Sequence, residues 1–173
     1  FGCVVGEDSP GNGTGVIFTT TNGGTNWIHR LNVFYNGLTS VQFINNFTGW
    51  AVGGTNNTVR KTKDGGLNWI YLTSGHSTFS RSVFFINGNT GWIAGEIFGT
   101  ILKSSNGGAY WYEQSIPSGI YPALYSVYFT DVNTGWTVGH LSSANSGIIL
   151  NTTNEGTNWI NQSDRIGFKL FSV

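Results

Sequence analysis

The stretch TKDGGLNWI, residues 62–70, sets one carboxylate, Asp64, against two glycines and just ahead of a tryptophan. A carboxylate on a glycine-rich loop could serve as a general acid or base, or ligate a cation. The stretch has three sisters, though: TTNGGTNW (20–27), SSNGGAYW (104–111) and TTNEGTNW (152–159). The slot of Asp64 is filled by Asn22, Asn106 and Asn154 in the other copies, so an ionised oxygen is not what the slot requires. Asn and Asp share another ability: the side chain accepts backbone N–H bonds two residues on and supports a tight turn. Thr20, Thr62, Ser104 and Thr152 offer a hydroxyl that closes the turn from the other side. Gly24, Gly66, Gly108 and Gly156 suit a positive φ that other residues resist. Trp27, Trp69, Trp111 and Trp159 open the strand that follows and pack over the turn. The expectation is a set of fold-building turns, with no catalytic residue, cofactor or metal ligand among them.

The remaining reactive side chains are scattered. His29, His76 and His140 lie 47 and 64 residues apart, without metal-ligand spacing. Glu7, Asp8 and Asp131 fall in loops, and Glu113 and Glu155 at variable repeat positions, so no carboxylate pair is set up for glycoside hydrolysis. The Gly-Gly turns lead into strands rather than helices, unlike a phosphate-binding loop. Cys3 is alone, which excludes an intrachain disulfide, and it reads as a small buried hydrophobe.

The elements that carry these residues form a repeat. The stretches SVQFINNFTGWAVG (40–53), SVFFINGNTGWIAG (82–95) and SVYFTDVNTGWTVG (126–139) interleave with the turns. The chain opens on FGCVVG, with Cys3 in the tryptophan slot, and closes on LFSV, the head of the same motif. A third run precedes each turn: GVIFTT, NTVRKT, GTILKS and GIILNT. Each unit thus holds four short runs of β-branched and aromatic residues bounded by Gly, Asn, Thr and Ser. The fold class is all-β: a β-propeller-type repeat of about four four-stranded antiparallel blades in one domain, 1–173. Units are expected at about 1–31, 32–73, 74–115 and 116–162, with 163–173 as the first strand of a next or shared blade. LFSV is placed to pair beside FGCVVG and close a small ring; a longer array is the favoured alternative. All seven tryptophans occupy repeat slots and read as packing residues.

Charged residues make up 9% of the chain and the formal net charge is zero, so nothing draws it to nucleic acid or an anionic membrane. No apolar run is long enough for a transmembrane helix. Five Asn-x-Ser/Thr sequons, at Asn12, Asn46, Asn56, Asn151 and Asn161, are acceptors of N-linked glycan if the chain is secreted, and all five are expected to be exposed.

The Ser/Thr-x-Asx-x-Gly-x-x-Trp stretch resembles the Asp-box, or bacterial neuraminidase repeat. LYSVYFTDVNTGWTVG followed by GIILNTTNEGTNW is similar to the propeller repeat of photosystem II assembly-factor-like proteins, also abundant in secreted multi-repeat bacterial surface proteins. The resemblance implies the propeller fold and no catalytic role for the box residues. The assembly-factor likeness further implies a basic patch, to which RKTK (60–63) is the nearest stretch; on its own residues it reads as a solvated strand face. The function expected first is a non-enzymatic extracellular or cell-surface structural module that self-associates through its complementary terminal strands. A carbohydrate- or protein-binding propeller, and an assembly factor for a membrane complex, are the alternatives.

Overall fold

A computed structural model of the chain describes residues 1–8, 13–33, 37–54, 58–141, 145–164 and 166–173. The first sheet has three strands, β1 (Gly2–Glu7), β2 (Gly15–Thr20) and β3 (Ile28–Val33). The second runs β4 (Leu38–Phe43), β5 (Gly49–Gly53), β6 (Thr58–Thr62) and β7 (Ile70–Thr73). The third runs β8 (Ser80–Phe85), β9 (Gly91–Gly95), β10 (Ile101–Ser104) and β11 (Tyr112–Glu113). The fourth runs β12 (Ala123–Phe129), β13 (Gly135–Leu141), β14 (Ser146–Thr152) and β15 (Ile160–Asn161). Every pairing is antiparallel between chain neighbours, which is the blade pattern of a β-propeller. The main contacts between sheets join β1 to β4, β4 and β5 to β8, and β8 and β9 to β12, so blades stack in chain order.

The Gly-Trp motif has a steric reason. Phe43, Phe85 and Phe129 end the inner strands opposite Gly49, Gly91 and Gly135. Each ring lies flat on the glycine: a Cβ there would meet it at 2.8, 2.5 and 2.5 Å. The following tryptophan then points into the junction with the next blade. Trp50 stacks on Phe85 at 3.7 Å and Trp92 on Phe129 at 3.5 Å, so one ring of each pair comes from each blade. Around these stacks lie the two larger cores, between the second and third and between the third and fourth blades. The core between the first and second blades is smaller, centred on Ile17, Leu38 and Ala51, because Cys3 stands where a tryptophan would reach across.

A register shift recurs in each inner strand, at Leu38/Ser40, Ser80/Ser82 and Leu124/Ser126. Such a bulge re-aims the side chains beside it. Here Ser40 and Ser82 turn their hydroxyls to accept the N–H groups of Val83 and Val127 on the next blade, each at 3.2 Å. The same bond appears a third time: the Val173 N–H reaches Ser126 Oγ at 3.2 Å. Residues 166–173 form no strand, yet they lie along the fourth blade, with Gly147 N–H donating to the Ile166 carbonyl and Leu170 N–H to that of Gly139. Among the described residues, LFSV is not paired with β1. It occupies the site where the inner strand of a following blade would begin. The described residues accordingly hold 15 strands rather than the sixteen of four complete blades.

Candidate functional site

The four Asp-box turns share one hydrogen-bond net. In the second blade, Thr62 Oγ1 donates to Asp64 Oδ1 at 2.8 Å and accepts from the N–H groups of Asp64 and Gly66 at 3.3 and 2.9 Å. Asp64 Oδ1 in turn accepts the Asn68 N–H at 2.9 Å. Thr20, Asn22 and Gly24 repeat this, as do Ser104, Asn106 and Gly108, and Thr152, Asn154 and Gly156. The Asx side chain reaches the N–H four residues on, at Asn26, Asn68, Tyr110 and Asn158. The expected reach of two residues belongs instead to the hydroxyl. The box glycines have φ from +79° to +90°, and the residue before each is also left-handed, Glu155 included at +63°. Trp69 and Trp111 donate Nε1–H to the Gly66 and Gly108 carbonyls at 3.2 and 3.0 Å, covering the turn. Asp64 alone gains a further bond, because its second carboxylate oxygen accepts from Asn68 Nδ2 at 2.8 Å. These donors, led by the Asn68 N–H, hold its pKa below the ordinary carboxylate value.

The turns also join blades. Trp50 Nε1 and Lys61 Nζ both donate to the Gly107 carbonyl of the third box, at 3.0 and 2.8 Å. Trp92 Nε1 donates to the Glu155 carbonyl of the fourth box at 3.2 Å, and Lys103 pairs with the Glu155 carboxylate at 2.6 Å. Lys61 lies 4.9 Å from the Trp50 ring centroid, its pKa lowered by burial and then by Lys63. Arg60 stacks 4.7 Å over Tyr71, with its pKa lowered by burial. Within RKTK, Lys61 thus joins a blade junction and Arg60 packs on its own blade, while Lys63 alone faces solvent as expected. Arg81 pairs with Glu96 at 2.8 Å and Arg30 Nε donates to Thr19 at 2.8 Å, so most of the described cations are engaged inside the molecule.

A cavity of about 270 Å³ opens where the second blade meets the third. Residues 73–76 form one wall, and Ala109, Tyr110 and Trp111 the other. Gly75, at φ +73°, lets the chain turn so that His76 crosses to the third blade. There His76 Nε2 donates to the Trp111 carbonyl at 3.2 Å, and Nδ1 lies 3.9 Å from Glu113. Tyr110 and Tyr112, each more than half exposed, pack with their rings tilted by 54° and centroids 5.0 Å apart beside the opening. The polar groups of the wall already bond within the protein: Ser74 Oγ to the His76 carbonyl, and Thr73 Oγ1 to the Gly75 N–H. The lining offers aromatic faces and satisfied polar groups rather than a nucleophile with a base. Sequence reading did not find this cavity, since its walls come from two blades and no spacing announces it. Among the described residues, no three His, Cys, Asp or Glu side chains gather as a metal site would require. Burial pushes the Cys3 thiol up to about 11.

The sequons separate. Asn46 and Asn161 are exposed. Asn12 and Asn56 lie outside the described residues. Asn151 contradicts the expectation of exposure: it is 7% accessible, and its Nδ2 donates to the Gly135 and Thr152 carbonyls at 3.1 and 3.3 Å. A glycan on that nitrogen is incompatible with the folded blade.

Antiparallel four-stranded blades, each closed by the same Asx–Gly–Trp turn, define a β-propeller of the BNR, or Asp-box, repeat type. The family described as "Photosynthesis system II assembly factor YCF48" matches residues 33–168, and the chain belongs to it. A structure titled "YCF48 bound to D1 peptide" is 27% identical, with a TM-score of 0.63 over 77% of this chain and 43% of that one. YCF48 from Cyanidioschyzon merolae is 25% identical, with a TM-score of 0.59 over 76% of this chain and 38% of that one. The chain therefore spans less than half the length of either structure. A GH74 enzyme of Niastella koreensis, 16% identical with a TM-score of 0.68 over 91% of this chain and 29% of its own, shares the fold alone. None of the curated proteins compared matches the chain.

Proposed function

We propose that this chain is a non-enzymatic, protein-binding propeller module that serves the assembly of a membrane protein complex by holding an extended segment of a client subunit. The family membership carries this reading, together with a peptide bound to one of the similar YCF48 structures. Of the readings drawn from the sequence, the assembly-factor alternative gains this support; the extracellular structural module and the glycan binder gain none. The cavity beside His76, Tyr110 and Trp111 is the place we assign to the client. Its aromatic rim suits an extended chain with apolar side chains, and the engagement of Lys61 and Lys103 in blade junctions and of Arg60 over Tyr71 disfavours a strongly acidic client.

Fluorescence anisotropy with labelled peptides from the tails and loops of membrane-complex subunits tests this. A neutral, aromatic or aliphatic peptide is expected to bind, and Tyr110→Ala or His76→Ala to weaken it about tenfold with the circular dichroism unchanged. Absence of saturable binding across the panel, or binding indifferent to both substitutions, would falsify the assignment.

A further inference from the structure

The third blade presents an outer edge to which a strand can be added, and we propose that the client segment binds there, along β11, through an apolar–basic–apolar run. This rests on the client-binding reading above and gives that client a backbone mode and a sequence pattern. Gln114 N–H donates to the Ile101 carbonyl at 2.8 Å. In the same register Glu113 faces Leu102 and Tyr112 faces Lys103. Bonded and non-bonded pairs alternate along an antiparallel ladder, so the N–H and C=O of Glu113 turn away from β10. The Trp111 carbonyl, two residues back, turns the same way and already takes a donor from outside the sheet, the Nε2–H of His76. That ring does at Trp111 what a backbone N–H of an added strand does at Glu113, and it marks one end of the added ladder.

Charge and polarity on an edge deter strand addition, and they mark the other outer strands. β3 carries Arg30, the Arg60 guanidinium lies over Tyr71 of β7, and Asn161 of β15 accepts the Ser163 N–H. β11 has the tyrosine pair and the cavity instead. Side chains alternate along it. Tyr110 and Tyr112 share one face, while Trp111 and Glu113 share the other, where Trp111 enters the core with the second blade and Glu113 meets His76. A client residue bonded to Glu113 sends its side chain to the Glu113 and His76 side. The Glu113 carboxylate is more than half exposed and has no salt bridge to lysine or arginine among the described residues, so a basic side chain fits there. The two flanking client residues turn to the tyrosine face, where aromatic and β-branched side chains pair best.

A backbone-methylation scan of a labelled peptide, acetyl-Ser-Val-Phe-Lys-Val-Val-Ser-amide, decides this by anisotropy on the 173-residue chain. The parent peptide is expected to bind saturably below about 1 mM. Methylating the backbone nitrogen of its lysine removes a ladder bond and should weaken binding about tenfold. Methylating the nitrogen of either neighbour, which faces solvent, should change it less than about twofold. Exchanging the peptide's lysine for glutamate should weaken binding about tenfold, and Glu113→Gln should shrink that difference. Glu113→Pro deletes an N–H that β10 does not use and should weaken the parent peptide about tenfold with the melting temperature unchanged. If that variant does not fold, the methylation scan on the wild type still decides. Binding that Tyr110→Ala abolishes, yet that tolerates methylation equally at all three nitrogens, overturns strand addition and leaves the client-binding reading standing. Failure of this peptide while others of the panel bind overturns it as well. Failure of every peptide removes the client-binding reading itself, and this inference with it.

Discussion

Asp64 shows how a residue that looks chemical alone becomes structural among its sisters. Its carboxylate fills a turn slot that Asn22, Asn106 and Asn154 fill with an amide, through the same bond to the N–H four residues on. Asp64→Asn is therefore expected to leave the melting temperature at pH 7 indistinguishable from wild type. The pH dependence gives a sharper test. Asp64's pKa is depressed in the fold, so its contribution is present above the unfolded value and lost as pH falls through the lower folded one. Thermal melts should show the wild type losing stability below the ordinary carboxylate value of 3.8, with Asp64→Asn losing less over that window. Gly66→Val is the contrast: at φ +79°, with Thr19 Cγ2 3.0 Å from the new Cβ, it should cost about 2–4 kcal/mol by urea unfolding. The slots of the turn were legible in the sequence because every partner lies within a few residues. The reach of the Asx side chain was not, since turns of either reach favour the same residue types. Asn151 misled for a related reason: its sister residues, Lys61 and Lys103, look like solvent-facing lysines yet lie over Trp50 and Trp92.

At the scale of elements, the inner strand does two jobs. It pairs within its own blade, and its bulge lends a serine hydroxyl to the next one. Ser82→Ala would leave the Val127 N–H without its acceptor inside a packed junction and should cost about 1–3 kcal/mol. Ser126→Ala removes the same bond at the exposed Val173 and should cost less, so chemical unfolding of the pair separates junction strength from generic loss of a hydroxyl. Equal losses would mean that the bond does not help hold the blades together. The strands themselves could be read from the recurrent runs, since period-two alternation and turn residues are local. The latches could not: Trp50 and Gly107 are 57 residues apart, and Trp92 and Glu155 are 63 apart. A repeat reveals that a tryptophan matters in every unit without revealing which carbonyl it meets.

At the scale of the whole molecule, the blades are unequally secured. The first junction has Cys3 and Thr19 where the others have Trp and Lys, and its core holds no fully buried aromatic ring. Hydrogen exchange should therefore be fastest in β1–β3 and slowest in β8–β10 and β12–β14, where Trp92 and Phe129 meet. Uniform protection across all sheets would show that the arc opens only as a unit. The recurring junction also has a consequence for how such a chain changes length. One blade carries the tryptophan, the bulge serine and the strand end; the next carries the box carbonyl, the phenylalanine and the valine N–H. Because each interior blade bears both halves, tandem duplication or loss of a whole unit leaves every surviving neighbour with its proper counterpart. Propeller size can then drift by unequal recombination without any compensating substitution, and selection on a client surface need act only on the loops.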